Sequence, residues 1–376
     1  MKFYRPTLAE IDLDAIRHNL EIVSHIVKGD TRILGVVKAD AYGHGIKEVS
    51  KAIVDYVDYF GVASLDEAGV LREIGIKKPI LVIGAILPQE AEGVLKFNVI
   101  QTVSDLEIPG KLSKLAAAKN KKIKVHVKID TGMGRIGFWH EEAAEFIKKI
   151  ALLRNIIIDG IFTHFPDAEA DKVFTHNQIR NFKRLIENLW ANDIYIPVKH
   201  TANSMALIDF KDSHMNMVRP GLMMYGIYPK QSLMKNILLK PALTLKTKIT
   251  YVKSVPKGRS ISYGMTYITK KPTKIATIPV GYGDGYSRHF SNKAHVLIRG
   301  VRCPIAGKVC MDMCMVDVGH LKNVKVGEDV ILIGSQAGEI IRAEELAKLI
   351  NTIPYEVLCN IGRRVPRVYK EGRRYV

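Results

Sequence analysis

A lysine at the end of a buried strand is the first group in this chain suited to covalent chemistry. Arg32-Ile33-Leu34-Gly35-Val36-Val37-Lys38 reads as an apolar strand closing on Lys38. The small and polar run Ala39-Asp40-Ala41-Tyr42-Gly43-His44-Gly45 follows it. A lysine in a desolvated pocket has a lowered pKa and can condense with a carbonyl. Most lysines at strand ends are only solvated surface groups. The run after Lys38 argues against that here.

A second stretch, Val125-His126-Val127-Lys128-Ile129-Asp130, alternates with period 2. Its apolar face should meet packed helices, and His126, Lys128 and Asp130 should point the other way. Buried polar groups are costly unless paired or used. A structural ion-pair network is the plain alternative. Thr131-Gly132-Met133-Gly134-Arg135 comes next, and its two glycines let the backbone bring Arg135 over a site. Arginine suits a carboxylate through bidentate contact. Further polar groups close other strands: His164, then His200-Thr201-Ala202-Asn203-Ser204, then Met217-Val218-Arg219-Pro220-Gly221. Downstream lie Ser262-Tyr263-Gly264, Gly281-Tyr282-Gly283-Asp284-Gly285-Tyr286 and Cys310-Met311-Asp312-Met313. The spacing of Cys303, Cys310 and Cys314 matches no zinc pattern, so no metal is expected.

These groups need strands to carry them. Apolar runs at 33–37, 59–63, 80–84, 99–103, 123–129, 156–163, 195–199 and 215–219 read as eight strands. Helical patterns lie between most of them, at 46–54, 65–74, 88–95, 112–119, 141–150, 171–189 and 204–208. Eight such units predict a (β/α)8 TIM-type barrel. A doubly wound sheet fits less well, because no GxGxxG follows the first strand. A helix at 15–27 precedes the barrel. Near 235–241 the pattern changes to strands at 243–255, 274–279, 295–298, 314–318 and 329–333, with one helix at 343–350 stopping before Pro354. The expected division is 1–235, a barrel, and 236–376, a mainly β domain. Catalytic groups in such barrels come from the carboxyl ends of the strands, where Lys38, Lys128, Arg135, His164 and Arg219 all fall. The turns after strands seven and eight form the usual phosphate cup of this fold.

Composition narrows the rest. The chain has 376 residues, 47% hydrophobic and 25% charged, which is ordinary for a globular protein and excludes disorder. Four cysteines are too few for a disulfide scaffold. No apolar run approaches the ~20 residues of a membrane span. Met1 to Asp12 shows no signal-peptide core, so a reducing cytoplasm is expected. The net charge of +18 raises nucleic-acid binding, but the basic residues are spread along the chain. Their densest cluster is Arg363, Arg364, Arg367, Arg373 and Arg374, with no recognisable nucleic-acid motif. A solvated basic surface, with a preference for anionic ligands, explains the charge better.

Val36 through Gly45 resembles the pyridoxal-phosphate attachment motif of the alanine racemases. The similarity continues through Lys128 to Gly137, Val218 to Gly221, Ser262 to Gly264, Gly281 to Gly285, Cys310 to Asp312 and Ile353 to Cys359, in family order. It departs at His164-Phe165-Pro166-Asp167-Ala168-Glu169, where Pro166 is unusual. The resemblance implies pyridoxal 5'-phosphate as cofactor and a homodimer with shared sites. It also implies the activity: interconversion of L- and D-alanine, supplying D-alanine for peptidoglycan. Lys38 would hold the cofactor aldehyde and then serve as the base on one face of the substrate Cα. Tyr263 would be the base on the other face. Tyr42, Ser204, Gly221, Leu222 and Tyr355 would hold the phosphate, with Asn203 beside them. Arg219 would face the pyridine nitrogen, and His164 would link it toward Tyr263. Arg135 and Met311 would hold the substrate carboxylate, near Lys128 and Tyr282. Lys128 is carbamylated in many family members. Tyr263, Tyr282 and Met311 would come from the partner subunit. A serine or broad-specificity racemase uses the same scaffold and is the alternative. A non-catalytic pyridoxal-phosphate binding protein also uses a barrel lysine.

Overall fold

The computed structural model describes residues 4–27, 29–372 and 374–375; Arg373 of the basic cluster lies outside them. Eight parallel strands form the barrel: Arg32–Val36, Tyr59–Val62, Ile80–Val82, Ile100–Val103, Ile123–Asp130, Ile156–Phe162, Val198–His200 and Met217–Val218. Each pairs with the next up to Val198–His200, and Met217–Val218 returns to pair with Arg32–Val36. The remaining seam is bridged by Arg219 N donating to Ala202 O at 3.0 Å and Asn216 N donating to Lys199 O at 3.3 Å. The ring is therefore nearly closed, and its edges are covered.

The strand Ile123–Asp130 shows how the sequence builds a filled lumen. Val125, Val127 and Ile129 are fully buried against the outer layer. His126, Lys128 and Asp130 are also buried, as alternation inside a closed barrel requires. Helices Ile46–Ala52, Leu65–Glu73, Ala91–Lys96, Glu107–Ala118, Ala143–Ala151, Lys172–Ala191 and Ser204–Asp209 follow successive strands. The longest, Lys172–Ala191, is capped by Asp171 and buries Ile179, Phe182, Leu185, Ile186 and Leu189 on one stripe.

The strand-rich part departs from expectation in three places. The first is Leu8–Asp12, a strand where none was expected. It pairs antiparallel with Leu243–Lys248 and parallel with Arg367–Glu371. These residues fall on the barrel side of a division at 235, yet their sheet is that of the other part. Arg5 reinforces the attachment through an ion pair with Asp284 and a bond to Pro279 O at 2.7 Å. The second departure is the run 243–255, which is two strands. Leu243–Lys248 pairs with Asp329–Gln336, whereas Tyr251–Val255 pairs with Thr273–Ile278. Ile249, donating to Glu328 O, marks the point where the chain changes sheets. The third is the helix Pro354–Cys359. Its proline opens the helix at a position where no amide hydrogen is needed. The preceding helix, Ala343–Leu349, ends well short of it.

Candidate active site

Lys38 sits half-buried at the carboxyl end of the first barrel strand. Burial, with Arg135 adding to it, holds its ammonium below the usual lysine range. The backbone beyond it is unusual. Ala39, Asp40, Ala41 and Tyr42 all have φ between 52° and 54°, a left-handed turn made without glycine. Each such residue costs roughly 1–2 kcal/mol. Several bonds hold the turn. Glu67 accepts the Ala39 amide at 2.7 Å, and Asp40 Oδ1 accepts the Ile46 amide at 2.8 Å. His44 Nδ1 donates to Ala41 O and Tyr42 O, both at 3.0 Å. Gly43, at φ 81°, ends the turn; a Cβ there would lie 2.5 Å from Leu358 O. That contact brings Tyr355 beside Tyr42, ring centroids 5.3 Å apart.

Across the barrel mouth stand more cations. Lys128 Nζ is buried, donates to Ile129 O at 2.9 Å and lies 5.4 Å from the Phe162 ring centre. Burial, with Arg219 adding to it, lowers its pKa to about 7. Arg219 is buried and donates to Thr163 O at 2.8 Å, Thr201 O at 2.9 Å, His200 Nδ1 at 2.9 Å and His164 Nδ1 at 3.3 Å. Burial, then Arg135, brings its pKa down to about 9. His164 and His200 are held neutral, well below the usual histidine range, by burial and then by Arg219. Asp130 shapes the loop carrying Arg135. Its carboxylate accepts the amides of Gly132 and Met133 at 2.8 Å and of Arg135 at 3.3 Å. Arg135 itself is exposed and, among the described residues, forms no ion pair.

The expected phosphate residues also converge. Ser204 Oγ accepts the amides of Gly221 at 2.9 Å and Met223 at 3.4 Å. Tyr42 lies over Gly221, where a Cβ would meet its hydroxyl oxygen at 2.7 Å. Leu222 opens the short helical turn that follows. Asn203 serves differently, its Oδ1 capping the helix Ser204–Asp209 by accepting from Met205 and Ala206.

Tyr263, Tyr282 and Met311 form a separate exposed group on the strand-rich part. Cys310 joins them. Its sulfur lies 3.6 Å from Ser262 Oγ, and its carbonyl accepts the Tyr282 amide at 3.0 Å. Tyr263 is 70% exposed. Among the described residues no hydrogen bond or charge interaction ties it to Lys38, Arg135 or Arg219 within the chain. Two of the carboxyl-terminal arginines serve structure. Arg364 pairs with Asp312 and Asp284, and Arg367 binds Gly43 O and Gly362 O. Glu67 escaped sequence reading. Its signal was present, since the first turn of the helix after the second strand must lie on the same rim as Lys38.

A nearly closed β/α barrel that gathers a partly desolvated lysine, three further basic groups (Lys128, Arg135 and Arg219) and neutral imidazoles at its carboxyl mouth, with a strand-rich second part, defines a two-part barrel enzyme. Known proteins give the class its name. Residues 11–229 match the family model "Alanine racemase, N-terminal domain", and residues 242–369 match "Alanine racemase, C-terminal domain". The alanine racemase of Halothermothrix orenii is 48% identical over 97% of this chain and 97% of its own. That of Methanococcus maripaludis is 45% identical over 97% and 98%. The solved alanine racemase of Clostridium difficile 630 superposes with a TM-score of 0.94 at 42% identity, covering 100% of this chain and 98% of that one. The Bacillus anthracis enzyme, solved with bound L-Ala-P, gives 0.93 at 37% identity with the same coverage. The chain belongs to the alanine racemase family.

Proposed function

We propose that the protein interconverts L- and D-alanine with pyridoxal 5'-phosphate as its resident cofactor. The observation that carries this reading is Lys38: a half-buried amine whose charged form is disfavoured, at a mouth rich in cations. Such a mouth suits a phosphate ester and a carboxylate together. The residues fit the cofactor. A Cβ at position 221 would fill the space under the Tyr42 hydroxyl, so glycine keeps a cradle where that hydroxyl, Ser204 Oγ and the Gly221 amide meet. Tyr355 and Leu222 border it.

When bound, pyridoxal phosphate supplies an aldehyde that condenses with amines and a ring that draws electrons from the attached Cα. Lys38 would anchor that aldehyde and, once freed, move a proton at the Cα from one face. Tyr263 would move a proton from the opposite face. Two bases on opposite sides make inversion possible. Tyr263 is exposed in its own chain, which suits delivery to a second copy's barrel along with Tyr282 and Met311. Arg135, near Lys128, would hold the substrate carboxylate with Met311. Arg219 can only donate, so it would keep a pyridine nitrogen facing it unprotonated and so temper the ring's pull on electrons. His164, bonded to Arg219, would help orient the Tyr263 phenol.

The same reading makes the working unit a homodimer in the cytoplasm, with D-alanine passing to peptidoglycan. The division proposed for it is 1–235 for the barrel part and 236–376 for the β part, with Leu8–Asp12 lent to the sheet of the second. Among the described residues no helix is long and apolar enough to cross a membrane.

The test places protein, cofactor and L-alanine in D₂O, with Lys38→Ala as control. D-alanine carrying Cα deuterium, absent from the control, is the expected result. No exchange and no inversion with cofactor bound would overturn the reading.

A further inference from the structure

Arg219 is a buried cation whose contacts are all uncharged: two carbonyls and two neutral imidazoles. A hydrogen-bond chain nevertheless runs from it toward a carboxylate. His200 Nδ1 takes a bond from Arg219, and His200 Nε2 lies 2.9 Å from His126 Nδ1. His126 Nε2 points at Asp159 Oδ2, 3.6 Å away. Neither of these last two atoms has a closer hydrogen-bond partner among the described residues.

Donor counting fixes every proton. Arginine only donates, so His200 Nδ1 is bare. The His200 proton is then on Nε2 and points to His126 Nδ1, which must be bare in turn. The His126 proton is therefore on Nε2, facing Asp159. Burial keeps both rings neutral. Burial would raise the Asp159 pKa, but the nearby His126 and Lys124 outweigh it and lower it to about 2.

The barrel is shaped around this chain. The pairing of Ile123–Asp130 with Ile156–Phe162 slips between Val125 and His126: Val125 faces Ile158, but His126 faces Gly160. Asp159 is the extra residue of that bulge, and bulges re-aim side chains. Gly160 makes room for the His126 ring, since a Cβ there would lie 2.5 Å from it. Phe162 stacks flat on His200, ring centres 4.6 Å apart and planes 5° apart. Tyr59 leans on His126 from the second strand. Lys124, the other partner of Asp159, is half exposed, and a pair so placed contributes little by itself.

We infer that Asp159 is a positioning residue for Arg219, acting through His126 and His200 to keep His200 Nδ1 a permanent acceptor for the guanidinium. The inference rests on the racemase reading only for what Arg219 does at the cofactor. It adds a carboxylate on the lumen side, away from the carboxyl rim, to the groups that set the site.

The test is nitrogen NMR of the full-length, cofactor-loaded protein labelled with ¹⁵N-histidine. In the unaltered protein both rings should be neutral with the proton on Nε2. Asp159→Ala should give mixed tautomers at His126 and His200, with kcat down on the order of tenfold and KM little changed. Asp159→Asn keeps an accepting oxygen and should keep the tautomers. Lys124→Ala, which removes only the ion pair, should leave tautomers and kcat as they were. A proton on Nδ1 of either ring in the unaltered protein would overturn the inference. So would intact tautomers and rate in Asp159→Ala. The tautomer readout does not depend on which amino acid is racemised, so its failure is distinct from failure of the activity.

Discussion

Glu67 holds the Ala39 amide and the Ala63 amide with one carboxylate, Oε1 to the first and Oε2 to the second, each at 2.7 Å. It thereby ties the left-handed turn after Lys38 to the end of the neighbouring strand. Glu67 also raises the Lys38 pKa against burial and Arg135. Removing the anion removes that support, so the Lys38 pKa should fall further. Glu67→Gln should shift pyridoxal phosphate capture by the cofactor-free protein to lower pH, because the neutral amine is the reacting form. It should also cost about 0.5–1.5 kcal/mol of stability by weakening one of two exposed amide bonds. Stopped-flow absorbance against pH and thermal melts check the two parts.

Lys128 makes a prediction with a definite sign. Its pKa, lowered to about 7 by burial and then Arg219, lies below the unfolded value of about 10.4. Between those values the unfolded chain binds more protons, so stability should rise with pH across that window. In the cofactor-free, CO₂-free protein, Lys128→Met should flatten that rise by a few kcal/mol. The same neutral amine is open to CO₂. With ¹³C-bicarbonate the native protein should show a carbamate signal that Lys128→Met lacks.

Gly221→Ala places a Cβ 2.7 Å from the Tyr42 hydroxyl, on a backbone at φ −118° and ψ −86° that lies outside the main regions open to alanine. The cost is a local clash together with local backbone strain. Affinity for pyridoxal phosphate should weaken by about tenfold, roughly 1.4 kcal/mol, with the fold retained. Fluorescence titration reads it directly.

Gly160→Ala tests the bulge. The added methyl would sit 2.5 Å from the His126 ring, hemmed by Tyr59 and His200. Overpacking of this kind costs about 1–3 kcal/mol. A lowered melting temperature is expected in a protein that still folds.

Shared sites can be tested by mixing dead chains. Lys38→Ala and Tyr263→Phe should each lose activity alone. If Tyr263 serves the partner's barrel, each hybrid dimer carries one intact site. Random re-pairing then restores about a quarter of the full activity. No recovery after verified exchange of subunits would place Tyr263 in its own chain's site.

Much of the barrel was legible because its strands are short apolar runs between amphipathic helices. The polar residues at strand ends, Lys38, Lys128, Arg135, His164 and Arg219, could be placed on one rim for the same reason. Leu8–Asp12 was not legible. Its five residues carry little pattern, and both partners lie more than two hundred residues away in sequence. Pro354 reads as a stop but begins a helix, since the rule for proline depends on which side of it the helix lies. Glu67 and Asp159 act through contacts made only in space, one across two strands and the other through a bulge. Asn203 carries a local role that the sequence reading did not include: its Oδ1 caps the helix Ser204–Asp209. The role of Tyr263 came from family resemblance, and nothing in its own chain's geometry reveals it.

The strand Leu8–Asp12 also sets a timetable. It lies between a strand beginning at Leu243 and one ending at Glu371. On the ribosome its first neighbour emerges only after the whole barrel has been made, and its second only after most of the strand-rich part has followed. Until then Leu8–Asp12 presents unpaired backbone to solvent. Tyr355, beside the Lys38 turn, arrives just as late. If the site holds the proposed cofactor, it reaches its final form only after Tyr355 and Arg367–Glu371 have been made, and a chain cut before Arg367 should form its barrel but load the cofactor poorly.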